Sequence, residues 1–246
     1  MSRTRRTNEG HGKVGSALSG IAVALGCVLF LGGFVWGAIV YQPYTVPTDS
    51  MDPTIKAGDR VLAERIDGSE VKRGDVVVFQ EATWGNVPMV KRVVGVGGDK
   101  IACCTDNKLT VNGKQIDEPY LPKGESASLT GIRTTTVPQG RLFLLGDHRS
   151  DSLDSSAHIG DSENGSVERG AVQGRVDALA WPMAGMKKPT GFEALPGGIS
   201  QPGPIKTQLA AVVVGAVLVL GGAAYGPIAK RSRRRPSGRA AEPVRA

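Results

Sequence analysis

The sequence predicts a mostly β fold, an antiparallel sheet or barrel-like domain between an N-terminal and a C-terminal transmembrane helix. Two uncharged apolar runs near the ends of the 246-residue chain predict the helices. Between them, short segments rich in β-branched residues alternate with turn signals, which is typical of antiparallel strands. No stretch of this middle part keeps a helical period over about ten residues, so we expect few helices there.

The first apolar run covers residues 17–40, ALSGIAVALGCVLFLGGFVWGAIV, and carries no charge. A helix needs about 20 residues to cross a bilayer, so this run is long enough. A cleavable signal peptide is the alternative, but the apolar core of a signal peptide is shorter than this run. A small-residue cleavage site would also be expected where this chain has Trp36, Tyr41 and Tyr44. We therefore expect a retained anchor.

The second apolar run covers residues 209–229, LAAVVVGAVLVLGGAAYGPIA, and is also uncharged. A buried core helix is the alternative interpretation. The basic sequence KRSRRR that follows the run favours a second membrane span instead. Residues 183–208, which precede it, are rich in proline and glycine and are expected to form a linker from the β domain back to the membrane.

The distribution of charge predicts the orientation. The net charge of +7 comes from the two tails, residues 1–16 and 230–246, whereas the middle is close to neutral. By the positive-inside rule both tails are cytoplasmic, which places residues 41–182 on the extracytoplasmic side. A neutral folded part also argues against a nucleic-acid-binding domain, because such a domain needs a basic face.

Strands are expected in segments that combine β-branched residues with turn signals such as GD, NG or QG. These segments are GDRVLAERI, KRGDVVVFQ, VKRVVGVGGDKI, KLTVNGKQI and RLFLLGD. Successive residues of a strand face opposite sides of a sheet. Lys91 and Arg92 in the third segment should therefore point in opposite directions, and at least one meets the inner face if that strand is central.

Cysteine and histidine give no metal signature, because the spacing of these residues does not match a ligand set. Cys27 lies in the first apolar run, where a thiol is a small apolar residue. Cys103 and Cys104 are adjacent, and neighbouring residues on an ordinary strand point to opposite faces. A disulfide between them can form but is not favoured. We predict no metal and no cofactor.

Ser50 is the first candidate functional residue, at the centre of PTDSMDPTI. Pro47 and Pro53 fix their own φ angles and restrict Val46 and Asp52 before them, so the backbone around Ser50 is held. Rigid presentation suits a nucleophile, although a turn at the start of a domain is the simpler interpretation. Ten residues of extended chain reach at most about 35 Å, which keeps Ser50 near the membrane surface.

A nucleophilic serine needs a base, and the sequence offers two kinds. His148 and His158 lie in a loop-like segment rich in aspartate, so a Ser/His/Asp triad is one alternative. Lys91 is the other, because burial among its apolar neighbours can lower the pKa of an amine from about 10.4 by several units. A solvated Lys–Arg pair at a strand edge is the simpler interpretation of Lys91.

Four motifs follow the first apolar run in the order YTVPTDSMDPTI, KRGDVVVF, VKRVVGVGGDKI and LGDHRSDSLDS. Together they resemble the bacterial type I signal peptidases, membrane-bound Ser/Lys proteases that remove signal peptides from exported proteins. The resemblance extends from the first span to about Trp181. A second span with both ends cytoplasmic is similar to the form found in high-G+C Gram-positive bacteria.

The resemblance implies a role for each matching residue. Ser50 would be the nucleophile and Lys91 the general base. Thr48, where the family usually has serine, would stabilise the oxyanion together with the backbone N–H of Ser50. Ser152 would hydrogen-bond and orient the lysine. The supporting charged residues would be Asp147, Arg149 and Asp154, and the walls of the shallow substrate pockets would be Tyr44, Val46 and Val90.

Two positions depart from the family pattern. His148 stands where an asparagine is usual, and Ser156 stands where an arginine is common. The expected partner of Asp154 is therefore missing. These departures bear on loop packing and stability near the site rather than on the reaction.

The resemblance implies a serine endopeptidase that cuts signal peptides from preproteins at the outer face of the cytoplasmic membrane, through an acyl-enzyme. Its expected partners are signal peptides, the cytoplasmic membrane and the protein translocon, and nucleic acid is not among them. Self-cleaving regulators use a similar Ser/Lys pair, but they carry a DNA-binding domain and no spans. A membrane-tethered module that binds signal peptides or the translocon without cutting them is a further alternative.

Overall fold

A computed structural model of the chain describes residues 10–127, 132–185 and 191–233. The chain divides into a helical unit, drawn from residues up to Gly37 and from Lys206 onward, and a β unit, Ala38–Ile205. Of the two predicted cytoplasmic tails, residues 1–9 and 234–246 lie outside the described residues.

Helices form where the two apolar runs predict them. Helix α1 covers Gly10–Val40 and helix α2 covers Ile205–Arg233. Each contains a stretch long and apolar enough to cross a membrane, Gly15–Val40 and Ile205–Tyr225. Only 11% and 6% of the most apolar windows of these stretches are buried, whereas a core helix would be mostly buried. This low burial fits membrane spans and argues against the core-helix alternative for α2.

The two helices contact each other through glycine. A Cβ on Gly26 would lie 2.8 Å from the carbonyl oxygen of Gly215, and one on Gly215 would lie 2.5 Å from the backbone nitrogen of Phe30. The hydroxyl of Ser19 donates to the carbonyl of Gly222 at 2.7 Å. Small residues allow this close backbone approach, which is typical of helix pairs in membranes.

Two antiparallel sheets form the β unit. The larger has the strand order β1-β2-β11-β3-β4-β9-β10, with β12 paired to β11, and the smaller has the order β7-β6-β5-β8. The strands are β1 Tyr41–Thr45, β2 Arg60–Glu64, β3 Val76–Gln80, β4 Pro88–Val96, β5 Lys100–Thr105, β6 Lys108–Val111, β7 Lys114–Gln115, β8 Thr135–Thr136, β9 Arg141–Leu145, β10 Val167–Glu168, β11 Val172–Trp181 and β12 Ala184–Gly185. The predicted mostly β, antiparallel fold class is confirmed, and each predicted strand segment contains a strand.

Strand β4 is central, between β3 and β9, and it explains the burial of both charged residues in its middle. Val77 of β3 lies opposite Lys91, and Leu145 of β9 lies opposite Arg92. Both side chains are buried, on opposite faces of the sheet. The sequence predicts that at least one of these two side chains faces inward, and in the structure both are buried.

One apolar cluster supports the segment that follows β1. Its fully buried members include Met51, Ile55, Val61 and Val78. Because Met51 and Ile55 lie just after Ser50, their burial fixes the backbone of PTDSMDPTI against the main sheet. A cluster centred on Phe143 and Ile101 fills the space beside the smaller sheet.

The segment predicted as a linker is partly packed on the β unit. Phe192 and Leu195 are buried in the same cluster as Ile116. Arg73 donates to the carbonyl of Pro196 at 2.9 Å. Residues 186–190 lie outside the described residues. A composition rich in proline and glycine therefore does not make residues 191–205 a free tether, since their apolar side chains enter the core.

Two charged side chains hold the ends of the β unit. Arg65 donates to the carbonyls of Ala38, Ile39 and Tyr41 at 3.2, 2.7 and 2.9 Å, at the end of α1. The carboxylate of Asp177 accepts from the Tyr41 hydroxyl at 2.6 Å and from the backbone N–H groups of Gly203 and Ile205, at the start of α2. A cation at a helix C-terminus and an anion at an N-terminus are both favourable.

Cys103 and Cys104 are joined by a disulfide in β5. The expectation that such pairing is not favoured assumes an ordinary extended strand. In β5 the pairing with β6 holds at Ile101 and Ala102 and resumes at Thr105, with a register shift over the two cysteines. They therefore do not lie in regular strand geometry, and the expectation is wrong for this reason.

Candidate active site

Ser50 lies in a turn that is tied to the β unit on both sides. The N–H of Val46 donates to the carbonyl of Asp59, and the N–H of Gly58 donates back to the carbonyl of Val46. The N–H of Ile55 donates to the carbonyl of Met51. Ser50 itself is 7% exposed. The local sequence thus holds the hydroxyl in one place near the surface of the domain.

Lys91 reaches Ser50 from strand β4. Its Nζ donates to the Oγ of Ser50 at 2.6 Å, and the lysine is 4% exposed. Burial lowers the pKa of the Lys91 amine, while the negative charges of Asp154, Asp147 and Asp151 offset part of that effect. The net direction is downward, which favours the neutral amine that a general base requires.

The hydroxyl of Thr48 lies near that of Ser50. Its Oγ1 is 3.5 Å from the Oγ of Ser50. This separation is long for a hydrogen bond between hydroxyls, so Thr48 does not compete strongly with Lys91 for Ser50.

The loop after β9 closes the site. The backbone N–H of His148 donates to the carbonyl of Ser50 at 3.1 Å. A Cβ on Gly146 would lie 2.5 Å from the Ser50 carbonyl oxygen and would also collide with the hydroxyl of Ser152. Glycine is required here because the loop passes directly over Ser50.

Asp147 is the buried anchor of this loop. The carboxylate accepts two hydrogen bonds from the guanidinium of Arg92, at 2.8 and 2.6 Å, and one from the hydroxyl of Thr54. The guanidinium also lies 4.0 Å above the ring of Tyr120. Sequence reasoning treats Arg92 only as the neighbour of Lys91, so this role was missed. The KR pair on a central strand is the signal that could have indicated it.

Arg149 is held by a residue that sequence reasoning missed. Its guanidinium binds Glu118 through two hydrogen bonds, at 2.6 and 3.1 Å, and donates to the carbonyl of Gly146 at 2.7 Å. The Arg149–Glu118 pair is buried. Glu118 lies 31 positions away in the sequence, between β7 and β8, where the sequence carries no motif that points to the site.

Ser152 contacts a different residue from the one that the family pattern implies. Its hydroxyl donates to Asp154 at 2.6 Å, and the contacts of the described residues include no bond to Lys91. The backbone N–H of Gly146 also donates to Asp154, at 2.9 Å. Ser152 thus orients the carboxylate of Asp154, next to the loop that covers Ser50.

Ser156 partly replaces the missing partner of Asp154. Its hydroxyl and its backbone N–H donate to the same carboxylate oxygen at 2.7 and 3.0 Å. The carboxylate of Asp154 is therefore fully hydrogen-bonded, although its donors are neutral. The sequence shows that Ser156 stands where an arginine is common. It does not show that Ser156 itself binds Asp154.

The histidines do not form a triad with Ser50. The ring of His158 stacks on Trp84 with centroids 4.4 Å apart, and its Nδ1 lies 2.8 Å from Asp161. His148 approaches Ser50 through its backbone, and its Nδ1 is buried without a hydrogen-bond partner. The geometry therefore favours the lysine over the histidine alternative.

The predicted pocket residues share one apolar surface. Val46 is buried in the cluster beneath Ser50, and Tyr44 and Val90 are half-buried against it. The hydroxyl of Tyr44 donates to Gln173 at 3.2 Å, which fixes its ring. Tyr44 lies on β1 and Val46 directly follows that strand, on the way to Ser50, whereas Val90 lies on β4 next to Lys91.

Comparison with known proteins identifies the family. Residues 17–181 match the family described as "Signal peptidase, peptidase S26". The chain belongs to the signal peptidase S26 family. Ser50, Lys91 and Ser152 all lie within the matched region, and helix α2 follows it.

Named relatives of this S26-family chain include two signal peptidases. The "Probable signal peptidase I" of Mycobacterium leprae is 32% identical over 61% of this chain and 71% of its own length. The "Signal peptidase IB" of Staphylococcus aureus is 34% identical over 68% of this chain and 90% of its own length. A crystal structure of a signal peptidase I from Enterococcus faecalis shares 27% identity, covering 43% of this chain and 96% of that one, with a TM-score of 0.35.

Proposed function

We propose that this chain is a membrane-bound serine endopeptidase that removes N-terminal signal peptides from exported preproteins. Ser50 is the nucleophile and Lys91 is the general base. The observation that carries the proposal is the 2.6 Å contact between the Lys91 amine and the Ser50 hydroxyl, both buried, in a member of the S26 family.

The reaction is acyl transfer. Neutral Lys91 accepts the proton of Ser50 as its Oγ attacks the scissile carbonyl carbon. The ammonium that forms then donates this proton to the departing amine, which leaves an ester on Ser50. Lys91, neutral again, takes a proton from the water that hydrolyses the ester. The Thr48 hydroxyl and the Ser50 backbone N–H stabilise the oxyanion at each step.

The substrate binds as an extended strand. Strand β1 is at the edge of the main sheet and leads directly to the Ser50 segment, so a peptide can pair beside it. The apolar surface of Tyr44, Val46 and Val90 then accepts the side chains one and three positions before the cut. Because Val46 is buried in the core at this surface, we expect small side chains to fit best.

The membrane holds the enzyme and its substrate at the same surface. In the proposed topology both tails are cytoplasmic, α1 and α2 cross the membrane, and the β unit is extracytoplasmic. A preprotein is anchored by its own apolar segment, so enzyme and substrate meet on one surface at raised effective concentration. The translocon that delivers the preprotein is a natural neighbour at this face, and the reaction uses no cofactor.

The proposal is tested by incubating the purified full chain in detergent with a preprotein and sequencing the new N-terminus of the product. We expect Ser50→Ala, Lys91→Ala and Lys91→Arg to abolish cleavage, because arginine stays charged and cannot act as a base. His158→Gln is the matched control and should cut normally. Unchanged melting temperatures would show that the variants are folded.

The alternatives give different results. Cleavage by Ser50→Ala or by Lys91→Ala would exclude the dyad, and loss of cleavage in His158→Gln would favour a histidine base. A parent chain that binds the preprotein but releases no product would support the non-cutting module.

A further inference from the structure

Asp154 is a buried carboxylate whose charge is not balanced by a bound cation. It is 1% exposed. Its two oxygens accept hydrogen bonds from the Gly146 N–H, the Ser152 hydroxyl, and the N–H and hydroxyl of Ser156. All of these donors are neutral. Among the residues that the structure describes, no lysine, arginine or histidine nitrogen lies within the 4.0 Å ion-pair distance of Asp154.

The other buried charges near Lys91 are paired. Asp147 is bound by Arg92 in a buried ion pair. Arg149 is bound by Glu118 in a second one. Oppositely charged groups in such pairs largely cancel each other's field at a distance.

The remaining groups that face this part of the site add little charge. Asp151 lies in the same loop as Asp154 but is exposed, so water screens it. Tyr120 is half-buried against the core, and burial raises the pKa of its hydroxyl well above its ordinary value, which keeps it neutral. Asp154 is thus the buried charge near Lys91 that neither an ion pair nor solvent balances.

The contacts connect Asp154 to the catalytic pair in a short chain. The carboxylate is bound by the backbone of Gly146, and Gly146 packs directly on the carbonyl of Ser50. Among the charges that hold up the pKa of Lys91, that of Asp154 has the largest effect. The contacts and the effect on the pKa therefore both connect Asp154 to the Ser50–Lys91 pair.

We propose that Asp154 is the counter-ion of the ammonium that forms on Lys91 when Ser50 gives up its proton. This inference rests on the proposed function. Asp154 contacts neither the substrate nor the reacting atoms, so it is a positioning residue that acts through Lys91. No proton reaches Asp154: the proton moves from Ser50 to Lys91 and then to the leaving amine, and the carboxylate stays charged throughout.

The arrangement has opposing effects on the reaction. A fixed negative charge in a buried site stabilises the ammonium as it develops, which lowers the barrier to proton transfer. The same charge favours the protonated amine in the resting enzyme, which reduces the neutral fraction at low pH. Ser156 supplies only a neutral hydroxyl, so no cation at this position offsets the charge of Asp154 and weakens either effect.

The test is the pH dependence of kcat/KM for a soluble peptide substrate, measured with the full chain in detergent. Asp154→Asn keeps the shape and removes the charge. Ser156→Arg adds a cation beside the carboxylate, at a half-buried position. We expect both to shift the acidic limb of the profile to lower pH, and Asp154→Asn to lower kcat on the plateau as well.

Ser156→Gln is the matched control, since it adds a long neutral side chain at the same position. It should leave the acidic limb where the parent has it. A purely structural role for Asp154 would lower kcat and the melting temperature without moving the limb, and that result would overturn the inference. If Asp154→Asn does not fold, the comparison of Ser156→Arg with Ser156→Gln decides alone, and equal profiles for these two variants would overturn it.

Failure of the inference differs from failure of the proposed function. If the dyad is wrong, the parent is inactive or Lys91→Ala still cuts. If only the role of Asp154 is wrong, the parent cuts, Lys91→Ala does not, and the acidic limb is the same in every Asp154 and Ser156 variant.

Discussion

Arg92 and Asp147 form a two-point ion pair in the interior of the β unit. Their nitrogen and oxygen atoms lie 2.8 and 2.6 Å apart, and their side chains are 2% and 0% exposed. Arg92 is next to Lys91 on β4, and Asp147 precedes His148, whose N–H binds the Ser50 carbonyl. The pair therefore fixes the strand that carries Lys91 to the loop that covers Ser50.

Removing one member of this pair should destabilise the domain strongly. Arg92→Met leaves Asp147 charged and buried without its partner, which costs about 3–5 kcal/mol. Chemical denaturation of the purified chain in detergent measures this free energy of unfolding. In Arg92→Met/Asp147→Leu neither charge remains, so much of the loss should be recovered.

The exposed pair Lys108–Asp117 provides the control, because both of its side chains face solvent. Lys108→Met should leave the unfolding curve unchanged. Equal costs for the single and double variants at Arg92 would contradict an uncompensated buried charge as the cause.

Burial of Lys91 predicts that this residue reduces the stability of the folded protein. The folded state lowers the pKa of this amine below its ordinary value of 10.5. The free energy of unfolding therefore decreases as the pH falls from 10.5 to the pKa that Lys91 has in the folded state. Below that pKa the loss caused by Lys91 stays constant. Lys91→Met has a similar shape and no charge, so it should be inactive and more stable than the parent at pH 7.

Thermal unfolding of both proteins between pH 7 and 10 checks this prediction. The advantage of Lys91→Met should shrink as the pH approaches 10.5, because the unfolded parent then loses the same proton. A methionine variant that is less stable than the parent at pH 7 would show that burial does not disfavour the charged amine.

The Thr48 hydroxyl should matter for the chemical step and not for substrate binding. Thr48→Val keeps the shape and removes the donor, and loss of one oxyanion donor costs about 10²-fold or more in kcat. KM should change little, and Thr48→Ser should keep most of the activity. Steady-state kinetics on a peptide substrate separate these effects. A rise in KM with unchanged kcat would place Thr48 in substrate binding instead.

The fold and part of the site could be predicted because their signals are local. Apolar length predicts the helices, and β-branched segments between turns predict the strands. Ser50 and Lys91 each lie in a distinctive motif, and the structure brings them together, although their catalytic roles stay predictions. Glu118 could not be found in this way, since its contact with Arg149 depends on the tertiary path of a loop with no pattern of its own.

Composition misled the prediction at residues 191–205. Proline and glycine indicate a chain that avoids regular structure, and the segment has little. They do not indicate whether single apolar side chains enter a core, which depends on the cavity that the rest of the fold leaves open. Phe192 fills such a cavity in the cluster around Ile116.

Phe192 should therefore contribute to the stability of the whole β unit. Its side chain is fully buried, so Phe192→Ala removes a ring from the core and should cost about 3–5 kcal/mol in the free energy of unfolding. Pro202→Ala, at an exposed position of the same segment, is the control and should melt like the parent. Denaturation of the full chain in detergent measures both. If Phe192→Ala also melted like the parent, the segment would be the passive linker that its composition suggests. A large loss would instead mean that residues 191–205 are part of the domain that holds Ser50 and Lys91.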